Sequence, residues 1–113
     1  MQIAICDDDR IHRMIIKDYI RQYSEKNPDV NITCDLFENA YDLEESLIKT
    51  GGYDIYLLDI LMPDINGIEL GALIRSSDSS GKIIYLTSSE EHAIAAFKVK
   101  AFDYLLKRTL SSR

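Results

Sequence analysis

Three carboxylates, a hydroxyl and an ammonium stand at matching places in this chain. Asp7 and Asp8 follow the apolar run Ile3-Ala4-Ile5-Cys6, and Asp59 follows Ile55-Tyr56-Leu57-Leu58. Thr87 follows Ile83-Ile84-Tyr85-Leu86, and Lys107 follows Phe102 to Leu106. If these runs are parallel strands, their carboxyl ends share one edge of a sheet, the rim where α/β proteins bind ligands. The five side chains then converge. Carboxylates so gathered repel one another unless a cation joins them. Oxygen-only ligands favour Mg²⁺ or a similar hard ion, which keeps waters and typically shares a phosphate. A carboxylate can also act as a nucleophile toward phosphorus. A metal and Lys107 would neutralise charge on a transferring phosphoryl group, and the Thr87 hydroxyl would donate a hydrogen bond to it.

Each residue alone has a plainer reading. Asp7-Asp8-Asp9 could be a helix cap with solvated neighbours, and Asp59 a turn residue. Thr87 and Lys107 could be ordinary strand-end and solvated side chains. The coincidence at four strand ends outweighs those readings. His12 and His92 have no ligand-spaced companions and read as surface or helix-face residues.

The elements that must position these groups are legible as alternating strands and helices. Ile11, Ile15, Tyr19 and Tyr23 recur at helical spacing after the first strand, with Asp8 or Asp9 as cap and Asn27-Pro28 as stop. Val30, Ile32, Cys34 and Leu36 alternate with polar residues, which predicts a strand at a sheet edge. Asn39 caps a second helix closed by Gly51-Gly52. After the Asp59 strand, Met62-Pro63 and Asn66-Gly67 force a turn before a third helix. Ser88 with Glu91 has capping-box spacing and predicts that a fourth helix opens there. The order β-α, repeated and ending on a strand, predicts an α/β, doubly wound, five-stranded parallel sheet with helices on both faces.

Composition narrows the function. A length of 113 residues suits one domain with one core. A formal net charge of −6 argues against direct nucleic-acid binding, which needs a basic face. No apolar run reaches membrane-spanning length, so no membrane partner is expected and the cytoplasm is the expected compartment. Cys6 and Cys34 sit inside apolar runs and are expected to be reduced thiols.

From Met1 to about Lys107 the chain resembles the receiver domain of two-component response regulators. The resemblance rests on Asp7-Asp8, the Asp59-x-x-Met62-Pro63-x-x-x-Gly67 segment, Thr87, Tyr104 and Lys107, in order and at family-like spacing. It implies a flavodoxin-like strand order, 2-1-3-4-5, with which the edge reading of the second strand agrees. It implies that Asp59 is the phosphoacceptor, taking a phosphoryl group from a sensor histidine kinase. It further implies that Asp8, Asp59 and the backbone carbonyl of Leu61 hold Mg²⁺ directly, that Asp7 acts largely through water, and that Thr87 and Tyr104 form a switch pair. Pro63 and Gly67 would set the loop geometry. The run Ala101-Phe102-Asp103-Tyr104-Leu105 looks most like the LytTR subgroup, whose output is a separate DNA-binding domain.

Two features depart from the family pattern. Arg108 stands where a proline usually follows the lysine, which removes the usual reason for a cis peptide there. The fifth helix is missing or truncated, so residues 1–113 are expected to be a single receiver domain lacking its last helix and a C-terminal output domain. The competing readings are a Mg²⁺-dependent phosphohydrolase with an aspartyl nucleophile and an unphosphorylated interaction module. The first usually has a second acid two residues after the nucleophile, where this chain has Leu61, and no cap domain is present for a substrate. The second leaves the full acidic, hydroxyl and lysine set unexplained. A missing fifth helix would leave the first-helix side of the sheet short of cover, and large exposed apolar patches are uncommon on monomers. The expected outcome is a homodimer through that face, measured by light scattering at micromolar concentration. A clean monomer as stable as a longer chain carrying the helix would overturn the expectation.

Overall fold

A computed structural model describes residues 1–108 of the chain. The apolar runs form strands because β-branched and aromatic residues pack well on a pleated, doubly covered surface. The elements run β1 (Gln2–Cys6), α1 (Arg10–Lys26), β2 (Thr33–Phe37), α2 (Ala40–Thr50), β3 (Ile55–Leu58), α3 (Gly67–Ser77), β4 (Lys82–Thr87), α4 (Ala93–Lys98) and β5 (Asp103–Leu106). All pairings are parallel and the sheet order is β2-β1-β3-β4-β5. The expected fold and strand order are therefore observed, with β2 at an edge. Its alternation begins to pair only at Thr33, so Val30 and Ile32 precede the strand.

Strand side chains alternate between two cores. On one face Ala4, Cys6, Tyr56, Leu58, Ile83 and Tyr85 pack with Leu43 and Leu47 of α2, Leu70 and Ile74 of α3, and Ala96 of α4. On the other, Ile3, Ile5 and Leu86 pack with Ile16 of α1. Among the described residues that second core is thinner. Leu105, paired with buried Leu86, is 43 % exposed. The expectation of a missing fifth helix concerns residues 108–113, of which all but Arg108 lie outside the described residues. No cis peptide occurs among the described residues.

The caps show where local signals were strong. Asp9 caps α1, its Oδ1 accepting from the amides of Ile11 and His12. Asn39 caps α2, and Gly51 closes it with φ 82°, a left-handed turn that suits glycine. Asn66 and Glu69 form a full capping box on α3. The Ser88–Glu91 box does not form, and α4 starts at Ala93 instead. The Ser89 amide donates to Thr87 Oγ1 and the Glu91 amide to Ser89 Oγ, so hydroxyls hold these amides in successive turns and delay the helix.

Away from the carboxyl edge, a buried tyrosine ties the sheet to the α3–β4 turn. The Tyr56 hydroxyl accepts from the Tyr53 amide at 2.9 Å and donates to Asp78 Oδ2 at 2.6 Å. Asp78 Oδ1 accepts from the Ser80 and Gly81 amides. Burial alone would raise the Asp78 carboxyl, but the Tyr56 hydroxyl and those amides hold it below its ordinary value. Tyr56→Phe should cost about 2 kcal/mol in urea unfolding near neutral pH, because it strands a buried amide and removes a charge-assisted bond. A depressed carboxyl contributes stability that is lost as pH falls through its folded titration, so the difference should narrow under acid.

Candidate functional site

Asp7, Asp8, Asp59, Thr87 and Lys107 do meet at the carboxyl edge of the sheet. The strand ladders extend one residue past their ends to place the acids: the Asp7 amide donates to the Phe37 carbonyl, and the Asp59 amide to the Cys6 carbonyl. Asp7 is 1 % exposed and Asp59 is 5 % exposed, so neither is a solvated surface carboxylate. Asp8 is exposed. One carboxylate oxygen from each of the three lies within 4.8 Å of the others.

Lys107 is the counter-charge. Its Nζ lies 2.9 Å from Asp7 Oδ2 and 3.2 Å from Asp59 Oδ2. The Lys107 amide donates to the Thr87 carbonyl, so the β4–β5 pairing delivers the ammonium. Burial, then the Asp7 charge, raise the Asp59 carboxyl, while Lys107 and the Ile60 amide pull it down; the net direction is up. Burial disfavours charge on Lys107, but the two carboxylates outweigh it and raise its affinity for the proton. Cys6 lies directly beneath, where burial and then the neighbouring Asp7 and Asp59 charges push its thiol up to about 12. It is an inert core thiol, and both cysteines are unpaired, as expected.

The donor set fits a hard cation. One ammonium faces two buried carboxylates, and Asp7 Oδ2 makes no directed hydrogen bond despite its closeness to Lys107. An oxygen lone pair without a partner at such a cluster suits an ion that takes oxygen ligands.

The loop after Asp59 is shaped by Gly67. A Cβ there would overlap the Asp59 carbonyl, and the Gly67 amide donates to the Ile60 carbonyl at 2.8 Å. The first turn of α3 therefore rests against the backbone that carries Asp59. Leu61 and Pro63 are exposed on this loop, and Leu61 lines a cleft of about 500 Å³ with Asp8, Asp9, His12, Asp59, Ser88 and Lys107. Thr87 is fully buried and its hydroxyl accepts from the Ser89 amide. Tyr104 is half-buried, and its hydroxyl donates to the Ser89 carbonyl. Thr87 and Tyr104 thus grip the same residue of the β4–α4 loop.

Sequence reading missed three contributors. Arg13 Nη1 donates to the Asp7 carbonyl at 2.7 Å and braces the β1–α1 turn. Ser89 joins Thr87 to Tyr104, and its place two residues after Thr87 was the only signal for it. His12, read as a helix-face residue, lines the cleft.

Removing the shared ammonium should expose the repulsion it offsets. Breaking a buried ion pair at one partner costs about 3–5 kcal/mol, so Lys107→Met in metal-free buffer should lose about that much at pH 7. Without Lys107 the Asp59 carboxyl, already raised by burial and by the Asp7 charge, loses the contact that pulls it down and titrates higher in the fold than in the unfolded chain. Such groups favour the fold at low pH and cease to do so as pH rises through their folded values. The variant should therefore approach wild type near pH 4 and fall behind it toward pH 7, as read by urea unfolding across pH.

Comparison with known proteins agrees with this scaffold. The chain is 40 % identical over 114 residues to accessory gene regulator protein A of Staphylococcus aureus, covering 95 % of this chain and 46 % of that protein. It is 41 % identical over 70 residues to the transcriptional regulatory protein LytR of Staphylococcus aureus, covering 62 % of this chain and 28 % of that one. Both relatives agree with the subgroup to which the Ala101–Leu105 run pointed, and the chain spans about half the length of the first. Among solved structures, the response regulatory domain of mrkE from Klebsiella pneumoniae superposes with a TM-score of 0.78 at 25 % identity, covering 98 % of this chain and 90 % of that one. The family model for the response regulator receiver domain matches residues 3–113. The chain belongs to the response regulator receiver domain family.

Proposed function

We propose that this domain is a phosphoacceptor switch in which Asp59 takes a phosphoryl group from a sensor histidine kinase. The observation that carries the reading is the buried Asp7–Lys107–Asp59 pairing, open to the cleft through Asp59 and Lys107. A buried carboxylate at a strand end, raised in proton affinity and held beside an ammonium, is a nucleophile placed where developing negative charge is matched. Asp8, Asp59 and the Leu61 carbonyl would hold Mg²⁺ directly, and Asp7 through water. Bound there, the ion would neutralise phosphoryl charge and shield the acids from one another.

The attack joins one Asp59 oxygen to phosphorus while the bond from phosphorus to the donor imidazole breaks, and the electron pair stays with the imidazole. Lys107 turns from its carboxylates toward the new oxygens. Thr87 gives up its contact with the Ser89 amide to donate to the phosphoryl group. Tyr104 shares Ser89, so that change reaches β5 and α4. The domain would catalyse only its own phosphorylation and dephosphorylation. In a longer parent protein it would control a C-terminal output domain, DNA-binding in a transcription regulator.

With acetyl phosphate and Mg²⁺, intact-mass spectrometry should show one added phosphoryl group. Asp59→Asn, or EDTA, should abolish it. Undiminished labelling of the variant would move the acceptor elsewhere, Asp64 on the same loop being next. Steady turnover of p-nitrophenyl phosphate would favour a phosphohydrolase instead.

A further inference from the structure

The cleft over Asp59 holds an imidazole that the phosphoacceptor reading does not use. His12 lies in the first turn of α1, and its side chain is 31 % exposed. Its Nδ1 is buried and lies 3.0 Å from Asp9 Oδ2, an ion-pair distance at which the two make no aligned hydrogen bond. The same Asp9 caps α1 through its other oxygen, which accepts from the Ile11 and His12 amides. One carboxylate therefore caps the helix backbone and lies against the ring of His12. A carboxylate against Nδ1 favours the tautomer with the proton there, which leaves Nε2 as the acceptor.

The other acceptors on the cleft have roles already: Asp8 and Asp59 in the proposed metal site, and Asp9 at the helix cap. Leu61, two residues after Asp59, is apolar and 51 % exposed, and Ile15 is apolar. Lys107 is committed to Asp7 and Asp59 and has no acceptor lone pair. Ser88 is exposed, and no partner fixes its hydroxyl among the described residues.

We propose that His12, oriented by Asp9, is the general base that hydrolyses the aspartyl phosphate and so sets the lifetime of the signal. The inference rests on Asp59 being the acceptor. A water in the cleft donates a hydrogen bond to His12 Nε2 and attacks phosphorus. The bond between phosphorus and the Asp59 oxygen breaks, and its electron pair returns to the Asp59 carboxylate. The water proton passes to Nε2 and then to solvent, and inorganic phosphate leaves. No other reactant is needed. Asp9 is a positioning residue, since it touches only the imidazole and the helix backbone.

General-base assistance is ordinarily worth about 10²–10⁴-fold, and less where the phosphoryl transition state is loose. The expected effect of His12→Ala is thus a lifetime longer by about tenfold or more. A general base acts only while unprotonated, so wild-type hydrolysis should slow in acid. The charged groups on the cleft with His12 are Asp9 and Asp8 from the β1–α1 loop, Asp59 from the β3 end, and Lys107 and Arg108 from the β5 end. That acid limb should vanish in His12→Gln, which keeps a hydrogen-bonding side chain and loses the base.

The test labels wild type, His12→Gln and His12→Ala with acetyl phosphate and Mg²⁺, removes the donor, and follows loss of the phosphoryl group by intact mass at several pH values. Only labelled molecules are counted, so a variant that folds less well does not distort the lifetime. Longer lifetimes in both variants, with the acid limb gone, support the inference. Labelled variants with wild-type lifetimes and an unchanged pH profile overturn it and leave the phosphoacceptor reading intact. Failure of wild type to label overturns both.

Discussion

Two buried carboxylates share one ammonium, and much of this molecule serves that arrangement. Asp7 and Asp59 lie side by side because β1 and β3 are neighbours, and their repulsion is only half offset by Lys107. Leaving such charge inside a fold costs several kcal/mol unless geometry and hydrogen bonds compensate. The compensation is local and specific. Asp7 Oδ1 accepts from the Asp9 amide, and Asp59 Oδ1 from the Ile60 amide. What remains is a site with spare negative charge facing a cleft, a state that a cation or a phosphoryl group held with a cation would relieve.

The surrounding loops hold this strained balance with little freedom to drift. Arg13 ties the Asp7 carbonyl to α1, and Gly67 lets α3 rest on the Asp59 backbone. At the opposite side, Arg75 donates to the carbonyls of Val99, Asp78, Gly81 and Lys100, which anchors the α4–β5 loop. By contrast, α4 has no side-chain cap at its start, and Ile94 and Phe97 are largely exposed. The helix is thus anchored near its end and loosely held near the site, where Thr87 and Tyr104 both contact Ser89.

The two cores differ in the same sense. Among the described residues, the face under α2, α3 and α4 is thick and contains the Tyr53–Tyr56 ring contact, whereas the α1 face has fewer fully buried side chains. Tyr56, Leu58 and Ile60, the residues that carry the chain into and past Asp59, pack on the face under α2, α3 and α4.

Much of this could be read from local sequence. Continuous apolar runs ending in Asp, Thr and Lys identified the strands and their functional edge, because strand identity and strand ends are short-range properties. The caps at Asp9, Asn39 and Gly51 were legible for the same reason, whereas Asn66, read only as part of a turn, also caps α3. The Ser88–Glu91 spacing misled because hydroxyl-bonded turns competed with the helix, a choice that spacing cannot reveal. Only the tertiary structure decided that Lys107 bonds to Asp59, 48 residues away, while also pairing with Asp7. Only it brought Tyr104 to Ser89 and turned His12 toward the cleft with Asp9 behind it. Those contacts depend on which strands are neighbours and on how each helix is rotated on the sheet, and such quantities are set by the whole core rather than by any one segment.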